Sequence, residues 1–267
     1  MSSSGVFPNS TRFVTALTFV RRHVGPLVTN AFFGKIVAKL FADKIPHRGF
    51  KIDTSLASVT AATKASLFFR AYESSEYRFV RDYLPKDANV IELGGSLGVI
   101  SCVIRRKIDA NMQLVVVEAD PLLAKAVQNN LAINGCDQDT TVKNVAVAYG
   151  MGDAIHFERG PNNVSGQIAK QAGVNTITVQ ATTLADIVRE CGFEDFCLVC
   201  DIEGVEWMIL EHEPELLAKA KMIIMEAHSH PDYGSDNDFV SRIGETTGLK
   251  LIDRHGSTIV LIAKESH

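Results

Sequence analysis

The stretch that most constrains this chain is a short apolar run, Val90-Ile91-Glu92-Leu93, that passes at once into Gly94-Gly95-Ser96-Leu97-Gly98 and then into the helical segment Val99–Lys107. A glycine-rich turn between strand and helix leaves the first N–H groups of the helix unpaired and lets a ligand approach the backbone closely. Such a turn belongs to a chain in which strands and helices alternate around a parallel sheet, with the ligand crevice at the carboxyl ends of the strands.

The sequence around it follows that pattern. Strands are expected at Val90–Leu93, Leu114–Glu118, Thr141–Ala148, Cys197–Cys200 and Met222–Met225, all short and largely β-branched or apolar, as strands buried on both faces are. Asp120-Pro121 supplies an N-cap and a first-turn proline for a helix over Leu122–Ile133, and Asn134-Gly135 stops it. Thr183 opens a second helix that runs to about Glu190, with Gly192 beyond its end. Leu249–Asp253 and Thr258–Ala263 flank a turn and read as a hairpin whose last strand runs antiparallel beside the others. The fold class expected is therefore α/β: a Rossmann-like, doubly wound, mostly parallel seven-stranded sheet with an antiparallel C-terminal strand, preceded by an N-terminal helical arm.

Charge separates the arm from the body. Residues 1–51 carry +7 and residues 52–267 carry −11, for a net charge of −4. An acidic body disfavours a nucleic-acid partner held through phosphates, so a small or uncharged acceptor fits better. In the arm, Phe33, Ile36, Val37, Leu40 and Phe41 recur at helical spacing beside Lys35 and Lys39, and Gly25-Pro26 divides the segment. That amphipathic face is expected to pack on the body; peripheral membrane contact through residues 11–41 and a cleaved organelle presequence are the competing readings. A domain division at residues 1–51 and 52–267 follows. No run of eighteen apolar residues spans a bilayer. Five cysteines, with Cys197 and Cys200 in a strand-like run, suit core positions and a reducing compartment, so a cytoplasmic location is expected.

The second strand ends at Glu118, placed to accept hydrogen bonds from both ribose hydroxyls of an adenosine. A dinucleotide turn needs G-x-G-x-x-G, whereas Ser96 stands where its second glycine should be. Glu92 just before the glycines also suits the cationic amino-acid end of S-adenosylmethionine better than a diphosphate. A nicotinamide-dependent oxidoreductase is thereby the weaker reading, and the chain also lacks a Tyr-x-x-x-Lys pair.

Taken in order, Tyr72-Glu73, Glu92–Gly98, Val117–Pro121, Asn130–Gly135, Asn144–Val147, Asp201-Ile-Glu203-Gly204-Val-Glu206 and Ile224-Met-Glu226-Ala-His228 resemble the FkbM family of class I methyltransferases. The resemblance runs from about Tyr72 to the C-terminus and leaves the arm outside it. Two departures stand out. The family's glycine loop usually reads D-x-G-A-N-x-G, where this chain has Glu92, Gly95 and Ser96, and a lysine common two residues before the aspartate is Val199 here.

The resemblance implies S-adenosylmethionine as cofactor, held by Tyr72, Glu73, Glu92, Gly94, Gly95, Ser96, Gly98, Glu118, Ala119, Asn144, Ala146 and Asp201. It also implies O-methylation of a small-molecule, sugar or other secondary-metabolite hydroxyl, a small-molecule or glycan acceptor in all. Asp201, Glu203 and His228 are the expected catalytic residues. Asp201, Glu203 and Glu206 can orient a hydroxyl, take its proton or hold a divalent metal, although no metal is assigned. His228 lies two residues after Glu226 on the same strand face and is a candidate base. A membrane-recruited module that binds cofactor without turnover is the non-enzymatic alternative.

Overall fold

The computed structural model describes residues 29–160, 166–169, 173 and 175–263. Helix α1 (Ala31–Phe41), strands β1 (Lys44–His47) and β2 (Phe50–Asp53), and helices α2 (Ala61–Phe68) and α3 (Ser74–Tyr83) come first. Strands and helices then alternate as β3 (Val90–Leu93), α4 (Val99–Lys107), β4 (Leu114–Val117), α5 (Pro121–Ile133) and β5 (Thr140–Lys143). Four further strands follow: β6 (Ala146–Val147), β7 (Ala154–Arg159), β8 (Gly166–Ala169) and β9 (Thr176–Thr182). The remaining elements are α6 (Leu184–Cys191), β10 (Cys197–Cys200), α7 (Glu206–His212), α8 (Pro214–Lys219), β11 (Met222–Glu226), α9 (Asp236–Thr247), β12 (Lys250–His255) and β13 (Thr258–Ile262).

Seven strands form the main sheet in the order β12-β13-β11-β10-β3-β4-β5. Pairing is parallel from β11 through β5, and β13 alone runs against its neighbours β11 and β12. This is the Rossmann-like sheet expected from the sequence. Its central strands are buried on both faces, so successive residues feed two separate cores. Cys197 and Val199 pack on one side while Leu198 and Cys200 pack on the other. The two cysteines are therefore core residues on opposite faces, and burial pushes both thiols up, Cys197 to about 12.

The expected strand over Thr141–Ala148 divides into two. At Asn144 the side chain turns back and its Nδ2 donates to the carbonyls of Glu118 and Ala119, at 2.8 and 2.9 Å. The chain leaves the main sheet there, and β6 joins a second sheet of order β6-β9-β7-β8. No strand was expected between residues 148 and 197. Ile155, Phe157, Ile177 and Val179 alternate there with polar residues and build a small core of their own.

The N-terminal hairpin runs across position 51 and is tied to α5 by two amides one helical turn apart. Asn134 accepts from the Lys51 amide and donates to the Lys51 carbonyl, both at 2.9 Å. Asn130, fully buried, accepts from the Asp53 amide at 2.7 Å and donates to the carbonyls of Asp53 and Leu97. These side chains satisfy the outer edge of β2 as a strand would, and through Leu97 they also hold the glycine turn.

Helix α1 meets α2 through Gly34, where a Cβ would stand 1.6 Å from the Ala61 carbonyl oxygen. The helix is thereby turned so that Gly34 and Val37 are buried while Phe32, Ile36 and Leu40 are exposed at 68%, 49% and 71%. The single apolar face expected from the sequence is thus split, because the closest approach is made by the residue with no side chain. Residues 11–28 of the proposed membrane-contact segment lie outside the described residues. Among those described, no helix is long and apolar enough to cross a membrane.

Replacing Asn130 by Ala strands the half-buried Asp53 amide and the buried Leu97 carbonyl, and is expected to lower stability by about 2–3 kcal/mol. Urea unfolding measures this, with faster amide exchange at residues 50–53; an unchanged midpoint would show that the amide tie is dispensable.

Candidate active site

The carboxyl ends of β3, β4, β10 and β11 surround two adjoining cavities. The larger, about 270 Å³, is lined by Tyr72, Glu73, Gly94, Ser96, Glu118, Ala119, Ala146, Asp201 and Glu203 among others. The smaller, about 20 Å³, is lined by Glu73, Glu76, Glu92, Gly94, Asp201 and Glu226 with apolar neighbours. Glu73, Gly94 and Asp201 border both.

The glycine turn owes its shape to close backbone contacts. Gly94 has φ +91°, and a Cβ there would lie 2.0 Å from the Asp201 carbonyl oxygen. The amides of Gly94 and Gly95 both point to the Val117 carbonyl, at 2.9 and 3.3 Å. Ser96 takes a left-handed φ of 47°, so that its amide donates 2.8 Å to Glu118 Oε2 while its hydroxyl meets the Tyr72 hydroxyl at 2.9 Å. Gly95 and Gly98 do not line either cavity. A Cβ on Gly95 would meet Val116 and Val127, and one on Gly98 would meet Val127. These two glycines seat α5 against the turn.

Glu118 is buried and lines the large cavity. Its other oxygen accepts the Asp120 amide at 2.9 Å. A carboxylate offers about four acceptor positions, and the Ala119 amide also acts on this one, so at least one position remains for a ligand. Burial pushes its pKa up to about 7, against the pull of the Asp120 and Ser96 amides. Glu92 is 2% exposed, and its Oε2 makes no hydrogen bond of normal geometry among the described residues, although the Ser101 hydroxyl is near enough to pull its pKa down. Burial raises Glu92 to about 8. The two acids thus open onto neighbouring cavities on either side of Gly94. Beside them, Asp120 caps α5 through the Leu122 amide and receives a two-pronged Arg159, with Nη2 to Oδ1 at 3.0 Å.

At the β10 end, Asp201, Glu203 and Glu206 behave differently. Glu206 is fully buried and accepts the amides of Ile202 and Gly204, at 3.1 and 2.7 Å, and meets His228 Nδ1 at 3.0 Å. His228 Nε2 then lies 3.7 Å from both Asp201 Oδ1 and Glu203 Oε2. The Trp207 indole donates to the His228 carbonyl at 2.8 Å. Burial lowers the His228 pKa, but Glu206, Asp201 and Glu203 outweigh it and hold it at about 9. Asp201 is raised to about 8, first by burial and then by Glu226. Asp201, Glu206 and His228 bring one ligand atom each within 4.8 Å of the others. That spacing suits a cation, although Glu206 is already engaged by two amides and the imidazole.

A family model described as the methyltransferase FkbM domain matches residues 88–246. The chain belongs to the FkbM methyltransferase family. No curated protein matches it. Among solved structures it is similar to an O-methyltransferase from Bacillus cereus in complex with SAH, at 12% identity and TM-score 0.45, covering 93% of this chain and 99% of that one. It is also similar to a methyltransferase from Geobacter sulfurreducens, at 15% identity and TM-score 0.44, covering 98% and 100%. A third is the O-methyltransferase TomG from Streptomyces achromogenes, involved in tomaymycin synthesis and complexed with SAM, at 13% identity and TM-score 0.40, covering 71% and 78%.

Of the residues expected from the sequence of this FkbM-family chain, Tyr72, Glu73, Gly94, Ser96, Glu118, Ala119, Ala146, Asp201 and Glu203 meet at the large cavity, and Glu92 at the small one. Gly95, Gly98 and Asn144 stand behind these walls, and His228, partly exposed, lies just outside the lining with its Nε2 3.7 Å from Asp201 and Glu203 at the rim. Sequence reasoning missed the wall contributed by the second sheet, Phe157, Gly166 and Ile168. The alternation of residues 155–159 was the available signal.

Because Glu92 is raised to about 8 in the fold from an ordinary 4.5, its ionisation opposes folding. That loss is absent at low pH and grows as pH rises between those values. A Glu92→Gln variant is therefore expected to gain thermal stability relative to wild type on going from pH 5 to pH 8.5, by about 1–3 kcal/mol. Paired melts at the two pH values test this, and a constant difference would contradict the buried ionisable site.

Proposed function

We propose that this chain is an S-adenosylmethionine-dependent O-methyltransferase acting on a hydroxyl of a small molecule or glycan. The observation that carries the reading is the lining of the large cavity. It has a buried carboxylate with acceptor capacity left at one end, Glu118, and further acids at the other, and no lysine or arginine among its described lining residues. A diphosphate needs donors there, and the Ser96 amide is already given to Glu118. An adenosyl sulfonium needs acceptors and negative charge.

The residues present fit that cofactor. Glu118 would hold the ribose hydroxyls, Ala119 and Ala146 would flank the adenine, and Asn144 would fix the backbone around it. Glu92, whose Oε2 is buried without a hydrogen bond of normal geometry among the described residues, would receive the amino group, and Gly94 would admit the backbone-close methionine end. When bound, S-adenosylmethionine supplies an electrophilic methyl carbon: the acceptor oxygen forms the new C–O bond, the C–S bond breaks with its electron pair on sulfur, and the acceptor's proton is released to a base.

His228 is that base in this reading. Glu206 engages Nδ1, which leaves Nε2 turned toward Asp201 and Glu203 at the cavity mouth. Asp201 and Glu203 orient the hydroxyl, and Tyr72 with the apolar wall from the second sheet excludes water. Holding the reactants in line is the larger part of such catalysis, with proton removal adding about 10²–10⁴-fold.

Titration calorimetry with S-adenosylmethionine and S-adenosylhomocysteine is the direct test. Both are expected to bind, and a 2′-deoxyribose analogue or the Glu118→Ala variant to bind about tenfold or more weakly, as loss of a hydrogen bond to a charged group implies. Failure of wild type to bind either compound, or binding of NADH instead, would remove the proposal. Turnover, read as S-adenosylhomocysteine release, separates an enzyme from a module that only binds.

A His228 held at about 9 by its carboxylates is protonated at neutral pH and idle as a base. The kcat/KM of the free enzyme is therefore expected to rise from pH 7 and level off near pH 9. His228→Asn should lower kcat by about 10²-fold or more and flatten that limb; a limb that persists unchanged in the variant assigns the base elsewhere.

A further inference from the structure

The apolar side chains that α1 leaves uncovered gather on one side of the molecule. Of the nine large hydrophobics exposed among the described residues, five lie here: Phe32, Phe33, Ile36, Leu40 and Phe69. Phe32, Ile36 and Leu40 recur at every fourth residue and form a stripe along the helix. Phe33 borders the stripe and extends the surface to the end of α2, where its ring stands edge-on to Phe69 at 6.2 Å. Apolar side chains that are contiguous rather than scattered mark an interaction surface. The stripe is also kept outward by the packing of the helix itself. Gly34 approaches Ala61 so closely that no side chain fits between them, and a helix docked by that edge cannot roll its phenylalanines and leucine under.

Charge decides what covers this face. Lys35 and Lys39 are exposed beside the stripe, and α1 has no acid in its sequence. Lys44 at the start of β1 and Arg70 next to Phe69 are exposed as well. Asp43, the one acid between residues 29 and 52, is taken by Lys64 at 2.6 Å. Residues 1–28 add three arginines and no acid. A second copy of the chain seated on this face about a two-fold axis would set these lysines against their own counterparts. Residues 1–28 seated on it would bring arginines onto lysines. An anionic lipid surface meets both needs, with acyl chains for the stripe and negative headgroups for the lysines.

We propose that the outer face of α1, with Phe69, is a docking surface for an anionic membrane. Phe32, Ile36 and Leu40 enter the boundary between headgroups and acyl chains, and Lys35 and Lys39 extend along it to the lipid phosphates. The remainder of the chain, residues 52–267, carries −11 and is repelled by the same lipids, so the protein sits in one orientation, arm side down. From Phe69 the chain passes through the exposed Arg70 and Ala71 to Tyr72, which lines the large cavity. Three residues span at most about 11 Å, so a membrane on this face comes within about that distance of the cavity wall.

Flotation of the full chain with vesicles tests this, in about 0.15 M salt. One set is phosphatidylcholine alone and the other contains about 30% phosphatidylserine. The chain is expected to partition onto the phosphatidylserine vesicles at least about tenfold more strongly, as two lysines near the surface imply. Ile36→Ser with Leu40→Ser should weaken that partition by about tenfold or more. Independently, Lys35→Gln with Lys39→Gln should weaken it by about tenfold while leaving the weaker partition onto phosphatidylcholine unchanged. All four positions are exposed, and thermal melts like those of wild type confirm that each variant is folded. No binding to either vesicle, or equal binding to both, overturns the proposal. Binding that both variants retain also overturns it and assigns the membrane contact to residues 1–28. A dimer that Ile36→Ser with Leu40→Ser dissolves, seen by sedimentation velocity without vesicle binding, overturns it in favour of a second copy.

Discussion

Everything at this site depends on how closely the end of β3 approaches the end of β10. The distance from Gly94 to the Asp201 carbonyl leaves no room for a side chain, and that contact sets the turn directly beside the acids of the fourth central strand. With Gly94 in place, its amide and that of Gly95 reach the Val117 carbonyl, and the turn is pinned to β4 as well. The three glycines therefore answer three different demands. Gly94 admits another backbone, Gly95 lets Val116 and Val127 close on it, and Gly98 supplies the left-handed entry to α4. One consequence is that the first and last of them are bound by φ as well as by space, whereas Gly95 is bound by space alone.

Among the described residues, a site built this way manages its buried negative charge with one cation, the His228 imidazolium, and otherwise with backbone amides and hydroxyls. Glu118 takes two amides, Glu206 takes two amides and an imidazole, and Glu76 and Glu226 take hydroxyls. Each hydrogen bond fixes a carboxyl group but cancels little of its charge, and burial then drives Glu92, Glu118 and Asp201 above the usual carboxylate range. A ligand with positive charge recovers that energy on binding, while the empty protein carries it as reduced stability. Arg159 on Asp120 shows the contrast: there the chain does use a cation, at the N-terminus of α5.

Much of this was legible in the sequence, for reasons that differ by element. The segment Val90–Gly98 and the helix after Asp120-Pro121 announce themselves through local chemistry, because caps, prolines and glycines act over a few residues. The antiparallel placement of β13 followed from hairpin signals alone. What escaped depended on partners distant in sequence. The run Thr141–Ala148 is uniformly strand-like, and only the Asn144 side chain, reaching carbonyls on the preceding connection, divides it between two sheets. The orientation of α1 was hidden because its contact residue, Gly34, is invisible to a count of apolar side chains. The hairpin β1–β2 went unseen for the same reason, since amides of α5 stand in for one of its neighbours.

The spacing of acids after β10 has a physical logic that the sequence displays without explaining. Glu203 and Gly204 both adopt positive φ, 54° and 93°, so the chain doubles back immediately after Asp201. For Glu203 that conformation costs about 1–2 kcal/mol, and Glu206 offsets it from two and four residues downstream by accepting the Gly204 and Ile202 amides. The turn so held leaves Asp201 and Glu203 with no role in its own hydrogen bonding, and both line the cavity. Glu206 in turn has one oxygen shared with His228, so the segment just past the end of β11 that carries the imidazole is registered against the same turn. Shifting any one of the three acids by a single position would break either the amide clamp or the alignment of Nε2 with Asp201 and Glu203. A D-x-E-G-x-E pattern is thus a single folded unit in which the last acid clamps the turn that sets the first two along the cavity.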